Sequence, residues 1–121
     1  MNILIVDDDE LVRGFLSTVL QQENFTTFEA TDGTQALQVC AAQPVDLVLT
    51  DLCMPGMEGF ETMRTLRQAG HMAKIIVMSG AFDAKLLPMA QKLGADAVLA
   101  KPIDADRLLT TIVEVLGPGN T

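Results

Sequence analysis

The sequence predicts a doubly wound α/β domain, a parallel five-stranded sheet with helices on both faces. Three observations carry that expectation. Short apolar runs rich in β-branched residues alternate five times with segments whose apolar residues recur at helical spacing. Glycines, prolines and acids punctuate the boundaries between them. Parallel strands need long crossovers, and crossover helices cover both faces of the sheet, so this alternation implies a parallel sheet.

Asn2-Ile3-Leu4-Ile5-Val6 is a continuous apolar run that stops on acids, the pattern of a strand buried on both faces. Leu11, Val12, Phe15, Leu16, Val19 and Leu20 recur at helical spacing and predict a helix from about Asp9 to Gln22. Asp9 and Glu10 stand at the positive end of its dipole. Phe25 to Glu29 is a short second strand. Asp32 and Gln35 resemble a capping box for a second helix, whose apolar face is Ala36, Leu37, Cys40 and Ala41 and which Pro44 closes. Asp46 to Thr50 is the third strand, and Asp51 follows it. A third helix carries Phe60, Met63, Leu66 and Arg67 and ends near Gly70. Lys74 to Met78 is the fourth strand, with Ser79 and Gly80 at its end. The fourth helix runs to Leu93, with Gly94 as a stop. Pro88 kinks this helix if Asp83 is the cap, and suits its first turn if the helix starts later. Ala97 to Ala100 is the fifth strand. Asp104 caps a last helix carrying Leu108, Leu109, Ile112, Val113 and Leu116, and Gly117-Pro118-Gly119 stops it.

A chain of 121 residues fits one domain, expected over 2–117 with a short tail at 118–121. No apolar run reaches membrane-span length, and Met1 leads into a strand without a basic n-region or cleavage site. Cys40 and Cys53 show neither metal nor redox spacing. These features predict a cytoplasmic protein without membrane insertion. The net charge of −8 and the scatter of eight Lys and Arg residues argue against direct nucleic-acid binding.

Polar residues stand at the carboxyl ends of four strands: Asp7 and Asp8, Asp51, Ser79 and Lys101. A strand order of 2-1-3-4-5 brings these ends to one rim and puts the switch point between strands one and three. Asp7, Asp8 and Asp51 then face each other there. Three adjacent carboxylates repel one another unless a cation is present, and an all-oxygen set suits Mg²⁺. Lys101 adds a mobile positive charge and Ser79 a hydroxyl donor. A carboxylate nucleophile, a metal, a lysine and a hydroxyl are the parts of phosphoryl transfer to an aspartate.

Val6-Asp7-Asp8, Asp51-Leu52-Cys53-Met54-Pro55 with Gly59, Ser79-Gly80 and Lys101-Pro102, in that order and at strand ends, resemble the receiver domain of two-component response regulators. The resemblance covers about Asn2 to Leu116. It implies a flavodoxin-like (βα)5 fold and phosphorylation by a histidine kinase or phosphotransfer protein. It makes Asp51 the phosphoacceptor, and Asp8 and Asp51 direct ligands of Mg²⁺. Asp7 would act mainly through water, and the backbone carbonyl of Cys53 completes the protein ligands. Ser79 becomes the switch hydroxyl, Lys101 the phosphoryl contact, and the Lys101–Pro102 bond cis. The domain catalyses only its own phosphorylation and dephosphorylation and signals through the face formed by the fourth helix, fifth strand and fifth helix. Two departures from the family stand out. Val98 replaces the usual aromatic three residues before the lysine. Cys53 and Ala81 offer no acid or amide to orient a hydrolytic water, so the phosphorylated form is expected to outlast seconds.

Two other readings compete. Asp7-Asp8-Asp9 contains the Asp-x-Asp of haloacid-dehalogenase-like phosphatases, with Asp7 as nucleophile; Leu11 stands where that motif wants Thr or Val, and Asp51 would have no chemical task. An unphosphorylated receiver-like scaffold would not need the charged residues that are all present. The chain reads as a stand-alone receiver or one cut from a longer protein, and a downstream partner or fused output domain is expected.

Overall fold

The computed structural model describes residues 1–51, 59–80, 87–92 and 94–117. The elements are β1 (Asn2–Val6), α1 (Glu10–Gln22), β2 (Thr26–Ala30), α2 (Gly33–Ala42), β3 (Leu47–Asp51), α3 (Gly59–Gln68), β4 (Lys74–Ser79), α4 (Leu87–Lys92), β5 (Ala97–Ala100) and α5 (Ala105–Leu116). The five strands pair in the order β2-β1-β3-β4-β5, and every pairing is parallel. The expected order and helix placement are therefore realised. Strand limits shift by a residue or so from the sequence reading: Asp51 and Ser79 are the last residues of their strands rather than the first beyond them.

Strand alternation divides the core in two. Ile3, Ile5, Leu47, Leu49, Ile76 and Met78 face α1 and α5, where they meet Leu16, Leu20, Leu108 and Ile112. Leu4, Val6, Val48, Ile75 and Val77 face the opposite way, onto residues of α2, α3 and α4 such as Ala36, Cys40, Met63, Leu66 and Ala90. Strands β1, β3 and β4 bury both faces, which is why they read as unbroken apolar runs. The buried Cys40 thiol is pushed up by desolvation, so it behaves as a small apolar side chain.

Side-chain caps fix the helix starts. Asp9 accepts from the backbone N–H groups of Leu11 and Val12 and is the N-cap of α1. Asp32 accepts from Gln35 N at 2.8 Å, while the Gln35 side chain takes the N–H of Thr31 at 2.9 Å, one residue before the cap. Asp104 accepts from Arg107 N, as expected. Pro88 lies one residue into the described part of α4, compatible with a first-turn position. Asp83, the other start considered, lies outside the described residues, as do Cys53, Ala81 and the tail 118–121.

Two outcomes differ from the sequence reading. The apolar set of α1 is too wide for one core face. Val12, Leu16, Val19 and Leu20 pack inward, whereas Leu11 is 84% and Phe15 47% exposed. Arg67, grouped with the apolar residues of α3, is a polar hub. Its guanidinium donates to the carbonyls of His71, Ala73 and Gly94. Gly94 has a φ of +103°, and a Cβ there would stand 3.2 Å from Arg67 Nε, so glycine suits both the backbone and the close approach. His71, whose carbonyl Arg67 takes, is half-buried.

Candidate functional site

The carboxyl ends of the strands form one rim. Val6 of β1 is in register with Thr50 of β3, so Asp7 and Asp51 stand one step beyond that pair on neighbouring strands. Asp51 is in register with Met78, which puts Ser79 one step further out on β4; Ser79 in turn pairs with Ala100, and Lys101 follows. The backbone N–H of Lys101 donates to the carbonyl of Ser79 at 2.8 Å, fixing the two chain ends side by side. The sequence placed these residues by strand order alone, and the sheet brings them together.

Asp7, Asp8 and Asp51 each offer a carboxylate oxygen within 4.8 Å of the others. Asp7 and Asp51 are buried and Asp8 is exposed, so the cluster opens to solvent on the side of Asp8. Lys101 Nζ donates to Asp51 Oδ2 at 2.9 Å and to Asp7 Oδ2 at 3.1 Å. The other Asp7 oxygen, Oδ1, accepts the N–H of Asp9 at 2.9 Å. The Lys101 side chain is 27% exposed. Burial pushes the amine's pKa down, but hydrogen bonds and charge attraction, from Asp51 first and then Asp7, outweigh it and hold the pKa above the ordinary lysine value. The lysine is thus a firmly charged counter-ion.

Among the described residues, three carboxylates face one ammonium at the rim. The donor set is all oxygen, hard and partly open to water, which fits Mg²⁺ or a similar hard divalent cation and not a soft transition metal. Asp7 has one oxygen held by Asp9 N and the other by Lys101, Asp51 shares that lysine, and Asp8 is the exposed member of the three. Cys53, expected to lend its carbonyl, lies outside the described residues. The Lys101–Pro102 peptide bond is cis.

Beside the rim runs an apolar groove of about 520 Å³ lined by Leu11, Val12, Phe15, Lys101, Pro102 and Ile103. Lys101 is shared: it lines the groove and its ammonium touches Asp51. Sequence reasoning missed this surface because Leu11 and Phe15 read as core. Two arginines were missed as well. Arg67 closes the opposite end of the sheet, and Arg13 turns its guanidinium back to the Asp7 carbonyl.

The protein-family model for the response regulator receiver domain matches residues 3–113. Sporulation initiation phosphotransferase F of Bacillus subtilis is 33% identical over 114 residues, which span 94% of this chain and 92% of that protein. The CAI-1 autoinducer sensor kinase/phosphatase CqsS of Vibrio cholerae is 35% identical over 113 residues, 91% of this chain and 16% of that one. Among solved structures, a chemotaxis response regulator of Vibrio cholerae superimposes with a TM-score of 0.88 at 28% identity, over 95% of this chain and 98% of the other.

Proposed function

The chain belongs to the response regulator receiver family of two-component systems, and from that membership we propose that Asp51 accepts a phosphoryl group from a histidine kinase or phosphotransfer protein. The observation that carries this reading is the contact of Lys101 Nζ with Asp51 Oδ2 at 2.9 Å inside a cluster of three carboxylates. A carboxylate oxygen of Asp51 attacks phosphorus in line, the O–P bond forms, and the P–N bond to the donor's imidazole breaks. Lys101, already charged and aimed at Asp51, neutralises developing charge on the phosphoryl oxygens. Ser79 stands at the rim with a hydroxyl to hold one of them. Asp8 and Asp51, with the Cys53 carbonyl, are the residues that would hold Mg²⁺, and Asp7 would act through water. The bound ion's contribution is charge neutralisation on the transferring group. The domain's own chemistry is limited to gaining and losing this phosphoryl group. Output is placed on the α4-β5-α5 face, where Val98 stands half-buried on β5 in place of an aromatic.

The phosphatase alternative is poorly served by the geometry. Asp7 would be its nucleophile, yet Asp7 is fully buried and both its oxygens are already engaged. Chemical mapping tests the choice. Acetyl phosphate with Mg²⁺ should give an acyl phosphate that borohydride reduces to homoserine at position 51. Homoserine at position 7, or steady release of inorganic phosphate without a trapped adduct, would sink the receiver reading.

The groove beside Lys101 supports the assignment of a protein donor. A leucine that is 84% exposed next to the phosphorylation site gains by being covered when a donor helix approaches. Leu11→Asp is expected to slow transfer from the phosphorylated donor about 10-fold or more, because a charge is then buried in the docked complex. Labelling by acetyl phosphate, which needs no docking surface, should stay within about twofold of the unaltered protein. Equal losses with both donors would place the damage in the site instead.

A further inference from the structure

Arg13 lies on the face of α1 that looks back to the rim. Its Nη1 donates to the carbonyl oxygen of Asp7 at 2.8 Å, and its Nε donates to Glu29 Oε1 at 3.2 Å. The Arg13 side chain is 13% exposed while that of Glu29 is 45% exposed, so the guanidinium is held within the protein by a partner that faces water. The carbonyl it holds belongs to the peptide unit joining Asp7 to Asp8. On the Asp7 side the neighbouring groups are held by Asp7 N donating to Ala30 O at 3.1 Å and by the side-chain contacts of Asp7 with Asp9 N and Lys101. Among the described residues no side-chain hydrogen bond reaches the Asp8 carboxylate, and the residue hangs from the peptide unit that Arg13 holds.

We infer that Arg13 is a positioning residue for the divalent-cation site: by fixing the plane of the Asp7–Asp8 peptide it aims the Asp8 carboxylate, with Glu29 keeping the guanidinium in place. This rests on the receiver reading of the same cluster. Two effects of Arg13 on the cation have opposite sign. As a nearby positive charge it repels a bound cation, so its removal would tighten binding if charge alone mattered. As the support of a ligand-bearing backbone it favours binding, so its removal weakens it, and supports of this kind are typically worth about 10-fold or more in metal affinity.

Calorimetric titration of MgCl2 into the full chain decides between them, with unaltered protein, Arg13→Lys and Arg13→Gln compared below their unfolding temperatures. The Kd for Mg²⁺ is expected to rise about 10-fold in Arg13→Gln. Arg13→Lys keeps the charge but loses the fork that reaches Asp7 and Glu29 together, and its Kd should fall between the other two. A Kd for Arg13→Gln equal to or below that of the unaltered protein overturns the inference. Should Arg13→Gln fail to fold, Arg13→Lys decides, and a Kd unchanged from the unaltered protein overturns it. Failure of the receiver reading has a separate signature, in that the unaltered protein itself would bind no Mg²⁺.

Discussion

Asp51→Asn is expected to reduce incorporation of acid-labile phosphate to background with any donor, while leaving the fold intact. The amide has no anionic oxygen to attack phosphorus. Stability should change little because opposing terms are of similar size. Asp51 gains from one ammonium at 2.9 Å and loses from two carboxylates whose oxygens lie within 4.8 Å. Near a protein surface, unit charges about 4 Å apart interact by about 4 kcal/mol, so one attraction and two longer, partly screened repulsions roughly cancel. Thermal unfolding followed by circular dichroism, alongside labelling with radioactive phosphate, separates lost chemistry from lost structure. Labelling of the variant at the unaltered level would move the phosphoacceptor elsewhere.

Lys101→Ala should act in two directions at once. Phosphoryl uptake from acetyl phosphate is expected to fall about 100-fold or more, the cost of removing a donor aimed at developing charge. Affinity for Mg²⁺ should rise, because Lys101 Nζ engages Oδ2 of both Asp7 and Asp51 and competes with a cation for them. Without metal, the substitution removes the ammonium that two buried carboxylates share. Fully buried pairs broken in this way lose about 3–5 kcal/mol, and the partial exposure of Lys101 brings the expectation to about 2 kcal/mol, which Mg²⁺ should restore. The pH dependence has a definite sign. The folded-state pKa of Lys101 lies above its unfolded value, so its contribution to stability is fully present below the unfolded pKa of about 10.4 and is lost as pH rises through the folded value. The stability gap between the unaltered protein and Lys101→Ala should therefore be constant near neutrality and close in strongly alkaline solution. A gap that widens there, by chemical denaturation, would contradict the pairing.

Much of this site was legible in the sequence because topology did the convergence. Asp7, Asp51, Ser79 and Lys101 are far apart in the chain, but each ends a strand, and parallel strands in one sheet end at one rim. What escaped were residues whose role depends on reach. Arg13 looks like one more charge on a helix until β2 brings Glu29 alongside. Arg67 sits at an apolar position of α3, and only the turns before β4 and β5 show that its guanidinium is satisfied by carbonyls. Leu11 and Phe15 share helical spacing with Leu16 and Leu20, and spacing alone does not say where the core-facing arc stops. Asp9 was read as a dipole partner and proved to be both the cap of α1 and, through its N–H, a support for Asp7.

The double-sided burial of β1, β3 and β4 sets where this protein is free to vary. At those strands there is no spare face: a polar side chain placed at either parity is driven into one of the two cores and carries the full cost of its dehydration. Beyond the first residues of β1 and β4, Asn2 and Lys74, the open positions of the sheet lie at its margins, β2 and β5. The strands that aim the acids are therefore the least editable part of the molecule. Tinkering is confined to its borders, and Val98, on a border strand, is a substitution the architecture can absorb without disturbing Asp51.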